Sequence, residues 1–151
     1  MDQQLSDMCA RIAQQLGSGH SEKVYQEALA AELRVAGWNV ELERVVPTLY
    51  DPGNQGHLIS VGFARLDILA VKGSESILIE LKATSSFSPA PLKAQINIYL
   101  KALKPSYPNL VGYGIQFMQP GSKDVLVEDM VQIIVVLSPL APLPSLPLVS
   151  S

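Results

Sequence analysis

Residues 66–82 read Leu66-Asp67-Ile68-Leu69-Ala70-Val71-Lys72-Gly73-Ser74-Glu75-Ser76-Ile77-Leu78-Ile79-Glu80-Leu81-Lys82, two apolar runs joined by a short polar turn. Gly-Ser at the centre of such a turn is the signature of a type II′ β-hairpin, whose first central residue needs a positive φ. With Gly73 and Ser74 as the two loop residues, facing positions sum to 147 in residue number, so Asp67 opposes Glu80. Directly opposed Cβ atoms lie about 4.5–5.5 Å apart, and two like charges at that distance destabilise a sheet unless something offsets them. A divalent cation does so: Mg²⁺ takes one or two carboxylates and keeps waters for phosphate oxygens. The strand period of two then sets Lys82 on the face of Glu80 and turns Leu81 toward the core. An ammonium in that position can hold or help deprotonate an attacking water and stabilise charge on a phosphoryl group. A bare E-x-K is common on solvated strand edges; the opposed Asp and the apolar residues of both strands raise this one above that background.

Working outward, Gln3 to Leu16 has the apolar spacing of an amphipathic helix, interrupted by Gly17, Ser18 and Gly19. A second helix is expected from Ser21, a good N-cap, with Val24, Ala28 and Leu29 on its apolar stripe and Gly37 at its end. Asn39 to Val46 alternates as a strand, with Val40, Leu42 and Val45 inward, before Pro47 and the turn-rich run Asp51-Pro52-Gly53-Asn54. Pro89 and Pro91 introduce a helix from about Pro91 to Leu103, since proline is tolerated in a first turn but not inside. Val111 to Phe117 and Val131 to Leu137 read as strands, the last so continuously apolar that burial on both faces is expected. Residues 1–137 therefore read as one α/β domain. Residues 138–151, with Pro139, Pro142, Pro144 and Pro147, read as an extended and poorly ordered tail.

Composition bounds the answer without deciding it. The chain has 151 residues, 48% hydrophobic and 17% charged, which suits one folded core and excludes global disorder. A net charge of −3 gives no overall attraction to a polyanion. The charge is uneven, however. From Leu81 through Lys123 there is no Asp or Glu, while Lys82, Lys93, Lys101, Lys104 and Lys123 all fall there, so either a basic face or an ordinary solvated helix face is expected. The single cysteine, Cys9, excludes an internal disulfide, and its neighbours Leu5, Met8, Ile12 and Leu16 make it a core residue. No charged-then-apolar leader opens the chain and no apolar stretch reaches about 18 residues, so no membrane is expected and the protein reads as soluble and intracellular, cytoplasmic or nuclear.

Gln95 and Tyr99 stand four apart on the expected third helix and share a face. A Gln can bridge a carboxylate or phosphate and the lysine, and a Tyr can stack on a base or close the pocket. Gly19, Glu22 and Tyr25 form G-x-x-E-x-x-Y at the start of the second helix, where a first-turn carboxylate is also favoured by the helix dipole alone. His20 is a candidate metal ligand; His57, in the turn-rich loop, is a weaker one.

These motifs, from Gly19-His20-Ser21-Glu22-Lys23-Val24-Tyr25 through Arg65-Leu66-Asp67 and Ile79-Glu80-Leu81-Lys82-Ala83 to Gln95–Leu100, resemble the GxxExxY proteins, a branch of the PD-(D/E)XK nuclease superfamily. The resemblance runs from about Gly17 to Phe117. It implies a restriction-endonuclease-like α/β fold, a mixed central sheet flanked by helices. It further implies Asp67 and Glu80 as ligands of Mg²⁺ or Mn²⁺, Lys82 as the catalytic lysine and Glu22 as an extra helical carboxylate. Gln95 and Tyr99 resemble the Q-x-x-x-Y element of RecB-like nucleases. The expected partner is nucleic acid, DNA ahead of RNA, and the expected assembly a homodimer. Leu66 stands where the namesake Pro would be, as in many members. Such folds host many functions, so two readings stay open: a metal-dependent nuclease, or a catalytically silent module that binds nucleic acid or protein.

Overall fold

The computed structural model describes residues 1–86, 88–118 and 130–137, so the Pro-rich tail and Lys123 lie outside the described residues. Helices α1 (Asp2–Leu16) and α2 (Glu22–Val35) precede strands β1 (Asn39–Tyr50), β2 (Ile59–Lys72) and β3 (Glu75–Thr84). Helix α3 (Pro89–Leu103) and strands β4 (Val111–Met118) and β5 (Val131–Val136) follow. The strands form one five-stranded sheet in the order β1-β2-β3-β4-β5. Among the described strands only β3 and β4 run parallel, and α3 is the crossover between them. This is a mixed sheet flanked by helices, as the resemblance implies.

Helices α1 and α2 cover one face, packing Leu5, Tyr25, Leu29 and Leu33 on Ile77, Ile79, Leu81 and Phe117. On the other face α3 packs Leu92, Ile96, Tyr99 and Leu103 on Leu78 and Leu66. Cys9 is buried in the first of these cores, and burial pushes its thiol up to about 12, so it is an inert packing residue.

The second helix ends as its glycine demands. Gly37, at φ 94°, donates to the Arg34 carbonyl at 3.0 Å, and Trp38 donates to Leu33 at 3.0 Å. This is a Schellman cap, which turns the chain directly into β1. Close packing of α3 on β4 depends on small residues. A Cβ on Gly114 would come within 2.7 Å of both Leu92 Cδ2 and Ile134 Cγ1. Gly114→Ala is expected to destabilise the fold by about 1–3 kcal/mol through overpacking, read from the urea midpoint.

Four expectations about the strands change. Strand β1 does not stop before Pro47 but continues to Tyr50, because β1 is an edge strand and an edge tolerates the missing N–H. Its partner β2 begins at Ile59 rather than Leu66, so the two form a long arm. Val45 is 56% exposed instead of inward. The core-facing side switches along the arm: Val40, Leu42 and Ile68 pack toward α1 and α2, whereas Val46 and Leu66 pack toward α3. The switch falls at Glu43, whose φ of 53° is unusual for a non-glycine residue. Finally, β5 is only partly buried. It is the other edge of the sheet: Val131 and Ile133 are half-buried against the first core and Ile134 and Val136 against the second, while Val135 is exposed.

Candidate active site

The hairpin register is the one the turn chemistry predicts. Lys72 pairs with Glu75 and Ile68 with Ile79, and of the two loop residues only Gly73 has a positive φ, 60°. The β2–β3 ladder then stops one position short of Asp67 and Glu80. From there β3 keeps its parallel pairing with β4 while β2 stays with β1. The two carboxylates fill the opening between the parting strands. The Leu81 amide donates to Asp67 Oδ2 at 2.7 Å, and the Asp67 amide donates to Glu80 Oε1 at 3.3 Å. Each carboxylate thus satisfies a backbone donor that the sheet would otherwise have paired.

Two carboxyls so close cannot both ionise freely. Burial, then the charge of Asp67, pushes Glu80 up to about 8, and burial also raises Asp67. Burial thus favours the protonated form of the pair, and Glu80 is only 3% exposed. Lys82 lowers both. Its ammonium makes no hydrogen bond or ion pair among the described residues, so it faces the two carboxylates through space. Lys82 also lines a cleft of about 220 Å³ with Thr84, Ser86, Ser88, Leu92, Gln95 and Gln116.

Tyr99 and Gln95 come together at the base of the pair, but not as a base-stacking surface. Tyr99 is fully buried. Its hydroxyl lies 2.8 Å from the Arg65 carbonyl and 3.5 Å from Glu80 Oε2, and it accepts from Gln95 Nε2 at 3.1 Å. The tyrosine closes the pocket from below and orients Glu80. Tyr99→Phe removes one donor to two buried acceptors, so a loss of about 1–2 kcal/mol is expected in urea unfolding.

Glu22 lies in the first turn of α2, within electrostatic reach of Lys82 and Asp67. Burial raises it and Lys82 opposes the rise. Its neighbour Lys23 reaches Glu43 at 3.5 Å, which ties the start of α2 to β1. His20 places a ring nitrogen 2.9 Å from the Leu16 carbonyl and stacks edge-on against Tyr25. His57 is exposed in the turn of the arm, where its amide donates to Asp51. Among the described residues no group of three or more His, Cys, Asp or Glu is close enough to hold a metal by itself. Asp67 and Glu80 nonetheless fit a hard cation. They are oxygen donors, their mutual repulsion is only partly met by Lys82, and Mg²⁺ asks for one or two carboxylates with water on the remaining positions.

Two residues of the site escape a reading of the sequence. Glu43 lies across β1 from Asp67, its charge raises Asp67, and its backbone is left-handed. Gln116 is 1% exposed and pairs in register with Lys82. Its amide donates to Thr84 Oγ1 and the Ser86 carbonyl, and its carbonyl accepts from the Ser88 amide at 3.4 Å, so it fixes three residues that line the cleft. A lone amide in the apolar run Val111–Met118 is the visible signal for Gln116; nothing local marks Glu43.

Sheet order, the parting of β2 from β3 and the Asp67, Glu80, Lys82 arrangement define a nuclease-like class of α/β protein. The family model of the PD-(D/E)XK nuclease superfamily matches residues 1–131, and the chain belongs to that superfamily. Among solved structures, the crystal structure of SSO0001 is similar at TM-score 0.51 and 21% identity, covering 79% of this chain and 51% of that one. The chain thus spans about half of that structure, and the likeness concerns the fold. No curated protein sequence matches. No described helix is long and apolar enough to cross a membrane.

Proposed function

We propose that the chain is a metal-dependent phosphodiester hydrolase acting on DNA, and less readily on RNA, within the GxxExxY branch of its superfamily. The observation that carries this reading is the interlocked pair Asp67 and Glu80 with the Lys82 ammonium beside it, which has no ion pair among the described residues. Asp67 and Glu80 would hold Mg²⁺ or Mn²⁺, with Glu22 and His20 as further donors. A bound ion would supply polarisation of a phosphoryl oxygen and a water acidic enough to attack. Lys82 holds that water and stabilises the charge that builds on the phosphoryl group. Tyr99, held by Gln95, fixes the Glu80 carboxylate, and Gln116 fixes Thr84, Ser86 and Ser88 in the wall of the cleft beside Lys82.

Incubation of the full chain with single- and double-stranded DNA and RNA, with Mg²⁺ or Mn²⁺, tests the proposal. Cleavage that chelation stops is the expected result. Saturable metal binding without cleavage of any of these substrates would instead leave a nucleic-acid-binding or protein-binding module on the same fold.

A further inference from the structure

Gln26 stands on the buried face of α2, 5% exposed, and its side-chain Nε2 has no hydrogen-bond partner among the described residues. A buried donor left without an acceptor destabilises a fold, so it calls for a physical reason. Helix geometry supplies its location. Successive side chains on a helix are about 100° apart, so Glu22 and Gln26 point in nearly one direction, between the directions of Lys23 and Tyr25. Lys23 reaches Glu43 on β1, and Tyr25 stacks on Phe117 of β4 with ring centroids 4.3 Å apart. Glu22 and Gln26 therefore lie over β2 and β3, the strands that part at Asp67 and Glu80. Along the helix Gln26 sits about 6 Å, one turn, deeper than Glu22. The Glu22 carboxylate is within electrostatic reach of Asp67 and Lys82 and makes no hydrogen bond among the described residues. An uncommitted acceptor and an unmet buried donor thus stand at the i, i+4 spacing at which such side chains pair on one helix.

We propose that Gln26 is a positioning residue: its amide donates to the Glu22 carboxylate and holds it inward, as a third carboxylate beside Asp67 and Glu80 when a divalent cation is bound there. The inference rests on the metal-site reading above and deepens it. Glu22 is exposed, in the first turn of α2, so its side chain can turn toward solvent or toward the sheet. In the metal-free chain the charge of Asp67 opposes the inward position, which accounts for a Gln26 amide left without an acceptor. A cation removes that opposition, and a charge-assisted hydrogen bond from a buried donor then selects the inward rotamer. Glu22 would complete a set that, among the described residues, no three acidic or imidazole groups form in its absence. The unmet donor is therefore a cost to folding that is recovered as metal affinity. Groups that orient a ligand in this way typically contribute about 10–100-fold to that affinity.

Calorimetric titration of Mn²⁺ into the full chain tests it, comparing wild type, Gln26→Met, Glu22→Ala and the double variant, with urea unfolding of each in chelator. Methionine keeps the length of glutamine and removes the donor. Gln26→Met is expected to bind Mn²⁺ about 10–100-fold more weakly than wild type. In the Glu22→Ala background the same substitution should cost nothing further, because the group it positions is gone. In chelator Gln26→Met should unfold at a higher urea concentration than wild type, since no buried donor is left unmet. Wild-type affinity in Gln26→Met overturns the proposal, as does a loss that persists in full in the Glu22→Ala background. A lower urea midpoint for Gln26→Met in chelator also overturns it, marking Gln26 as a residue that only holds the fold. A wild type that binds no Mn²⁺ overturns the metal-site reading and this inference with it, whereas failure confined to the variants leaves that reading standing.

Discussion

Lys82→Ala is expected to slow metal-dependent cleavage by about 10²–10⁴-fold, the usual contribution of a positioned proton-transfer or charge-stabilising group. The side chain lies on the Glu80 face of β3, half-buried, at the mouth of the cleft that Gln95 and Gln116 help to line. It makes no hydrogen bond or ion pair among the described residues, so its removal leaves no partner stranded and the fold should survive. Mn²⁺ titration of the variant should still saturate, because the carboxylates remain. The decisive comparison is the initial rate of wild type and variant at saturating Mn²⁺ on one substrate. An undiminished rate in the variant would remove Lys82 from the mechanism and with it the main reason for calling this constellation hydrolytic.

The second large effect is on stability and its pH dependence. In the folded, metal-free chain Glu80 is pushed from 4.5 up to about 8, chiefly by burial and then by Asp67. Between those values the folded chain keeps a proton that the unfolded chain has already released. Linkage then requires this group's contribution to stability to be fully present at low pH and to be lost as pH rises toward 8. A tenfold difference in proton affinity between folded and unfolded chain corresponds to about 1.4 kcal/mol, so the loss is on the order of a few kcal/mol, shared between two interacting carboxyls. Glu80→Gln cannot ionise and escapes this loss. In chelator it should be more stable than wild type at pH above 8, by about 1–4 kcal/mol, and the difference should vanish near pH 4.5. Mn²⁺ should restore wild type at high pH and leave the variant unchanged. Urea unfolding of both proteins at both pH values, with and without the ion, separates these outcomes. A variant that is less stable than wild type at high pH in chelator would mean that Glu80 is not strained against Asp67.

The turn, the hairpin register and the ordered motifs are legible in the linear chain because each depends on residues close in sequence. Gly73-Ser74 sets a turn with one positive φ, the turn sets the register, and the register opposes Asp67 to Glu80 and aligns Lys82. The Schellman cap at Gly37 and the entry of α3 at its prolines are legible for the same reason, although α3 begins at Pro89 rather than Pro91. Tertiary structure alone decided the rest. That Tyr99 holds Glu80 instead of stacking on a base follows from how α3 docks on the sheet, which no local spacing specifies. That Val131–Val136 is a half-buried edge depends on strand order, since an apolar run reads the same at an edge as in the centre. The left-handed Glu43 across from Asp67, and the bare arm beyond it, arise where α2 runs out over a sheet that continues. By itself the sequence determined which side chains meet across one hairpin, because covalent connection limits that choice; which faces are covered was decided by the packing of elements far apart in the chain.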